Sequence, residues 1–429
     1  MPRVALIDGV RSPFTKFNTT LKDVRAADLG MHVLRELIER NDLDVTSIDH
    51  VVMGNGAQPA DAPNVARVAS LKAGIPQNVP AYTVQRNCAA GMQSITDAAM
   101  MIQLGHADIV LAGGVESMSN IPFLFRRSFQ DKMTNLSRAR SLGDKLQTAT
   151  SFRFKDLSPI VGIEEGLTDN YCGLNMGETA EVLAKEYDIS REAQDEFALM
   201  SHQRTTAAWE EGRFDDEVMT VYHQSNGEAL VTDKDNGHRP NQSMEALAKL
   251  RPYFDRKYGS VTPGNSSQIT DGAAAMLVMN EKVAQSLGYV PKAFIKSWGY
   301  AGNDPRTMGL GPAFSTPIAL DRGTLKLSDM ELLEINEAFA AQVIANEIVF
   351  PSKKFAEEQL NRSKPLGEIN RDILNVNGGA VSLGHPIGAS GTRITLVLMN
   401  EMIRRGLQLG LATLCVGGGQ GGAIILERE

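Results

Sequence analysis

Two short patterns each occur twice in this chain, far apart. Residues 43–51 (LDVTSIDHV) and 325–333 (LKLSDMELL) run through the same order of apolar, polar, apolar, hydroxyl, polar, apolar and acidic side chains before ending apolar. Residues 105–114 (GHADIVLAGG) and 406–418 (GLQLGLATLCVGG) share a looser form: a helix end, an apolar strand, then glycines. Self-similarity of this kind points to a repeated structural unit. Around these patterns, strands at 4–7, 51–53, 82–85 and 109–112 alternate with helices over 26–40, 64–73 and 91–104, and Gly113 and Gly114 stop the fourth strand. That alternation predicts α/β architecture with covered sheets. From Ser117 to Asn265 the chain is richer in charge and poorer in strand signals, with polar amphipathic helices over 178–188 and 191–211. The α/β pattern resumes near Asp271, with a strand over 273–279. The sequence reads as a duplicated α/β half with a long segment inserted.

A net charge of −8 argues against nucleic acid as the main partner, though a local basic patch could still hold a phosphorylated small molecule. Only three cysteines are present, Cys88, Cys172 and Cys415, and they are widely spaced. A disulfide scaffold or a structural zinc site is not expected, and a reducing, cytoplasmic setting fits best. The start lacks a signal-peptide pattern, and no apolar run is long enough for a transmembrane helix.

Four junctions carry residue types suited to acyl transfer. Cys88 lies in 86–94 (RNCAAGMQS), between an extended segment and a helix. A helix N-terminus favours a thiolate, and the small residues after it leave room for a substrate; an inert buried thiol is the equally open reading. His385 lies in 378–391 (GGAVSLGHPIGASG), where it could point into a cleft as a base or sit on a surface turn. The glycines there do not match a dinucleotide fingerprint. Cys415 leads into Gly417-Gly418-Gly419, whose amides can converge on an anion, or it is a core cysteine. In 334–341 (EINEAFAA), Asn336 could hold a water or a substrate oxygen, or cap a helix, and Glu337 could orient a neighbour. Together these suggest a thiolate that attacks a carbonyl carbon, a histidine that takes its proton, and a second thiol that moves a proton beside the carbonyl. Zinc ligation by Cys88, His385 and Cys415 is the rival, without the usual short ligand pair.

Four blocks, Asn87-Cys88-Ala89-Ala90-Gly91, Asn336-Glu337-Ala338-Phe339, Gly384-His385-Pro386-Ile387-Gly388 and Cys415-Val416-Gly417-Gly418-Gly419, resemble in this order the thiolase family, which moves acyl groups between thioester carbons and coenzyme A. The resemblance covers nearly the whole chain. It implies duplicated α/β halves with mixed five-stranded sheets packed in layers, plus an inserted, mainly helical loop domain. The halves would be 1–118 with 266–290, and 291–429; the insertion, 119–265, would bind coenzyme A. Cys88 would carry the acyl group, His385 would activate it, and Cys415 would move the α-carbon proton. Asn336 would hold a water that forms one oxyanion hole with His385, and the amides of Cys88 and Gly417 would form the other. Asn175, Met176, Ser267 and Phe339 would line the coenzyme site. No metal and no permanently bound cofactor is implied; coenzyme A and acyl-CoA are substrates. The implied reaction is cleavage of 3-oxoacyl-CoA in fatty-acid β-oxidation, with condensation of two acetyl-CoA as the alternative. Acetoacetyl-specific relatives often have His where Asn175 stands, which weakens a strict short-chain reading.

The segment between Glu116 and Gly177 is longer than in the simplest members and, with 234–237 and 251–257, is similar to the β-subunit-like branch of the fatty-acid trifunctional systems. That branch usually has His at position 336, so docking on a hydratase–dehydrogenase α subunit is left open. The family implies a homodimer or homotetramer. The stretch 123–155 holds eight basic residues against Asp131 and Asp144, interleaved with Phe123, Phe125, Phe129, Met133 and Leu136. It reads either as a basic amphipathic flap that touches a membrane, an acyl-CoA or a partner, or as a lid packed by its apolar face.

Overall fold

The computed structural model describes residues 2–225 and 227–429. Strands β1 (Val4–Arg11), β2 (His50–Gly54), β3 (Ala81–Val84) and β4 (Ile109–Ser117) alternate with helices α1 (Ala26–Arg40), α2 (Val65–Lys72) and α3 (Ala90–Gln103). The insertion contributes α4 (Met176–Glu186) and α5 (Arg191–Glu210), and β5 (Thr270–Asn280) then returns to the first sheet. The second half follows as β6 (Ala293–Gly302), α6 (Gly311–Gly323), β7 (Leu332–Ile335), α7 (Ala340–Val349), α8 (Ile387–Arg405), β8 (Leu409–Val416) and β9 (Gln420–Glu427).

The two halves repeat one pairing scheme. In the first, β1 pairs β5 and β5 pairs β4, both antiparallel, and β4 pairs β2 and β2 pairs β3, both parallel. In the second, β6 pairs β9 and β9 pairs β8, both antiparallel, and β8 pairs β7 in parallel. The fifth member is only a parallel bridge from Leu333 to Leu374. The sequence echoes fall on matching places. Short helical turns at Val45–Ser47 and Leu327–Asp329 precede β2 and β7. Helices α3 and α8 are each followed by a left-handed glycine, Gly105 (φ 71°) and Gly406 (φ 68°), and then by a central strand. Glycine has no Cβ to clash in that conformation, so it closes both helices cheaply.

The two expected sheets are joined edge to edge. Ala5 pairs with Phe294 and Leu6 with Ala293, and this short β1–β6 contact makes one continuous sheet, ten-stranded among the described residues once the short strand Thr15–Lys16 on β5 is included. Each half still packs as its own layer. One apolar cluster sets α1 and α2 against the first half, and another sets α6 and α7 against the second. A third runs between the halves, where α3 and α8 lie together and meet Val52 and Met276 of the first half and Leu414 and Ile424 of the second.

Strand β4 does not stop at Gly113 and Gly114, as the sequence suggested, but pairs through them to Ser117. The glycines are there for close approach. A Cβ on Gly113 would strike the Ala274 carbonyl, and one on Gly114 the Gly388 carbonyl. The insertion also holds more strand than expected: a hairpin of Val221–Ser225 with Glu228–Thr232, and a ribbon of Phe123–Leu124 with Ile160–Val161. Among the described residues, no helix is long and apolar enough to cross a membrane.

Candidate active site

In each half the chemistry-bearing residues follow the C-terminal ends of the parallel strands, as ligand sites do in α/β sheets. Cys88 comes after β3, Asn336 after β7, and Cys415 near the end of β8. Cys88 occupies a tight turn, Asn87–Ala89, that opens α3. Asn87 takes the left-handed conformation (φ 43°), which Asn tolerates better than most residues. Its Nδ2 donates to the Gly417 carbonyl at 2.9 Å, and Gln85 Nε2 donates to its Oδ1 at 2.8 Å. The turn that presents the thiol is thereby tied to the second half.

Helices α3 and α8 meet at their first turns through glycines. Thr392 Oγ1 donates to the Gly91 carbonyl at 3.1 Å, and Gly91 faces the Gly388 carbonyl. Glu116, fully buried at the end of β4, locks this arrangement. It accepts from the amides of Gly56 (2.8 Å), Ala57 (3.1 Å) and Gly388 (2.9 Å) and from Asn55 Nδ2 (2.9 Å). Sequence reasoning missed Glu116; its only signal was a lone acid after an apolar strand.

A cavity of about 480 Å³ brings together Cys88, His385, Cys415, Asn175, Met176, Ser267 and Phe339. Gly417 is outside the lining, though its amide and that of Cys88 both favour the charged form of the Cys88 sulfur. Asn336 is also outside the lining, fully buried, with neither side-chain atom hydrogen-bonded to the protein. It caps no helix, since α7 begins at Ala340 with Phe339 as its cap position. Glu337 does orient neighbours, accepting from Ser201 Oγ (2.7 Å), Asn375 Nδ2 (2.9 Å) and the Val381 amide (3.1 Å). Ser267 lies just before strand β5, and its amide donates to the Ala338 carbonyl at 2.9 Å. Asn175 is the N-cap of α4, in a capping box with Glu178. The insertion adds apolar wall residues that no local motif announced, among them Ile163, Leu167 and Phe254.

The chain matches the thiolase N-terminal domain over residues 4–282 and the thiolase C-terminal domain over residues 289–428. It belongs to the thiolase family. A 3-ketoacyl-CoA thiolase of Colwellia psychrerythraea is 42% identical over all of this chain and 97% of that protein. One of Shewanella pealeana is 43% identical at the same coverage. Among solved structures, the Bacillus anthracis acetyl-CoA acetyltransferase superposes with a TM-score of 0.87 at 39% identity, covering 100% of this chain and 99% of that one. Human mitochondrial 3-ketoacyl-CoA thiolase, in complex with CoA, superposes at 0.85 with 34% identity, covering 100% and 98%.

Electrostatics in this thiolase site differ from the sequence expectation at one point. Burial pushes the Cys88 thiol up rather than down, and the nearby Glu116 carboxylate adds to the rise; the amides of Gly417 and Cys88 only partly offset them. Desolvation of the charged form outweighs the helix start. The resting group is a thiol and needs a base. Burial, helped by the Arg393 guanidinium, lowers His385 to about 4, so its ring is neutral at physiological pH. Its Nδ1 lies 2.5 Å from Ser390 Oγ, and its buried Nε2 has no protein partner. Burial raises Cys415 far above the usual thiol range, with a further rise from Cys88, so Cys415 keeps its proton. Among the described residues, no group of three or more His, Cys, Asp or Glu side chains could hold a metal ion.

Proposed function

We propose that this thiolase is a 3-ketoacyl-CoA thiolase that works through an acyl-Cys88 intermediate. The observation that carries the reading is the meeting of Cys88, His385 and Cys415 in one cavity. His385 takes the Cys88 proton as the sulfur attacks the 3-oxo carbon. The C2–C3 bond breaks, Cys415 gives its proton to C2, and acetyl-CoA leaves. The proton on His385 returns to Cys415. A second coenzyme A then gives its thiol proton to His385, takes the acyl group, and Cys88 recovers the proton. The unpartnered Asn336 amide and His385 Nε2 suit a water placed to hold a thioester oxygen. The insertion 119–265 serves as the coenzyme-binding unit, with Asn175, Met176 and Ser267 along the pantetheine arm and Phe254 edge-on to Phe339. No resident cofactor is needed. The test is coenzyme A-dependent loss of the Mg²⁺–enolate absorbance of 3-oxoacyl-CoAs from short to long chains, with Cys88→Ala as the control. Turnover of long chains supports β-oxidation. Turnover of acetoacetyl-CoA alone selects an acetyl-CoA acetyltransferase, the reading favoured by the Bacillus anthracis similarity. No turnover sinks both.

Two surfaces suit partners. Strand β3, beside Cys88, pairs only with β2 among the described residues, and the exposed Met100 and Leu104 lie on and just after α3. A bare sheet edge invites pairing, which favours a second copy of the chain there. Over 123–157, neither helix Arg127–Arg138 nor helix Leu142–Thr150 has a buried residue. Phe123, Phe125, Leu142, Leu146 and Phe154 stand exposed among the basic side chains, an arrangement suited to an anionic lipid surface. Salt-sensitive sedimentation with anionic but not neutral vesicles, lost on deleting 123–150, is the expected outcome. A partner protein such as a hydratase–dehydrogenase subunit would instead bind in the absence of lipid.

A further inference from the structure

We propose that Ser390 is a positioning residue that fixes the tautomer of His385 and so aims the basic nitrogen, Nε2, into the site. The inference rests on reading His385 as the base, and it adds what makes only one of its nitrogens basic.

The argument is one of donors and acceptors. Ser390 Oγ lies 2.5 Å from His385 Nδ1 and 3.1 Å from the Pro386 carbonyl oxygen. Both side chains are buried. The hydroxyl has one hydrogen, and a carbonyl oxygen can only accept, so that hydrogen belongs on Pro386. The bond between Ser390 and the ring must then run the other way, from Nδ1–H to the hydroxyl oxygen. If Ser390 donated to Nδ1 instead, its oxygen would face the carbonyl oxygen with two acceptors opposed. Nδ1 therefore holds the proton of the neutral ring, and Nε2 holds the lone pair. Nε2 is also the ring atom that no protein group engages.

The fold supplies the two anchors at small cost. Pro386 precedes α8, and Ser390 is four residues on, so its hydroxyl reaches back one turn to the carbonyl that the Ala389 and Ser390 amides also use. The backbone of His385 is held separately, its amide donating to the Gln268 carbonyl at 3.1 Å. The identity of the anchor matters. A carboxylate at this place would stabilise the imidazolium and hold the proton on the ring. The serine is neutral and, with burial and the Arg393 charge, leaves the ring with no reason to keep it. A base that must take a proton and release it twice per turnover is served by such a partner. Cys88, Glu164, His202, Arg239, Tyr253 and Cys415 are the other titratable groups that line the cavity with His385, and none is hydrogen-bonded to Nδ1.

The test begins with ¹⁵N-histidine-labelled protein at neutral pH, with His385 assigned by comparison with His385→Asn. The expected spectrum has Nδ1 protonated and Nε2 bare. Ser390→Ala should move the proton toward Nε2 and lower kcat by about 100-fold, the scale of general base catalysis, with KM little changed. Ser390→Thr, which restores the hydroxyl, should recover both the spectrum and most of kcat. A wild-type spectrum with the proton on Nε2 overturns the proposal whether or not any variant folds. So does a folded Ser390→Ala with wild-type kcat. Failure of His385 as the base would look different: His385→Asn itself would keep wild-type turnover.

Discussion

Replacing Gly91 by Ala separates two effects of opposite sign. Gly91 lies in the first turn of α3, where Ala is the better helix former by up to about 1 kcal/mol. Against that, a Cβ at Gly91 would sit 2.5 Å from Thr392 Oγ1, 2.7 Å from the Gly388 carbonyl oxygen and 2.9 Å from the Thr392 amide nitrogen. The hydroxyl can rotate away, but the other two atoms are backbone of the helix that His385 precedes. Ordinary contact begins near 3.4 Å, so α8 must retreat from α3 by several tenths of an ångström. Overpacking of this kind costs about 1–3 kcal/mol and outweighs the propensity gain. The larger effect falls on turnover, because the retreat widens the gap between Cys88 and His385. Misplacement approaching 1 Å in a reacting pair costs about 100-fold, equal to about 2.7 kcal/mol of barrier. We expect Gly91→Ala to lose about 1–2 kcal/mol in urea unfolding and about 100-fold in kcat, with KM nearly unchanged. Gly143→Ala is the control, since its Cβ would meet only Ser141 Oγ, at 3.8 Å. A Gly91→Ala enzyme with unchanged stability and kcat would refute the view that glycine contact between these helices sets the site.

Three further outcomes are expected. His385 titrates near 4 in the folded chain against 6.5 ordinarily, so the unfolded chain binds its proton first as pH falls. Stability from this group is therefore complete above pH 6.5 and is lost toward pH 4, by up to about 3 kcal/mol, and urea midpoints should fall less steeply with pH in His385→Asn than in wild type. Asn336→Ala removes an amide with no protein hydrogen bond, so the melting temperature should hardly move while kcat falls about 100-fold in steady-state assays. Glu116→Gln sets an amide N–H against backbone N–H donors and should cost about 1–3 kcal/mol in urea unfolding, with partial loss of kcat as the Gly388 anchor weakens.

Much of this protein was legible in its sequence because the information is local. Helix α1 spans the predicted residues, the echoes mark equivalent turns in the two halves, and Cys88, His385 and Cys415 stand beside glycines that only close approach or tight turns require. These patterns depend on a few consecutive residues, and a single chain carries them whole. Other features belong to pairs of distant segments. The glycines at 113 and 114 looked like a stop because a strand signal says nothing of Gly388, the neighbour that needs the space. Glu116 passed unnoticed because its four donors come from residues 55–57 and 388. The helix start left a thiolate and a buried thiol equally open for Cys88, but the surrounding chain buries it, and desolvation of a charge depends on everything packed around it. The sequence by itself determined that two cysteines, a histidine and an asparagine stand at glycine-rich junctions and that the fold is built twice. Only the tertiary structure decided how closely the two central helices meet, and therefore how far burial raises both thiols and lowers His385.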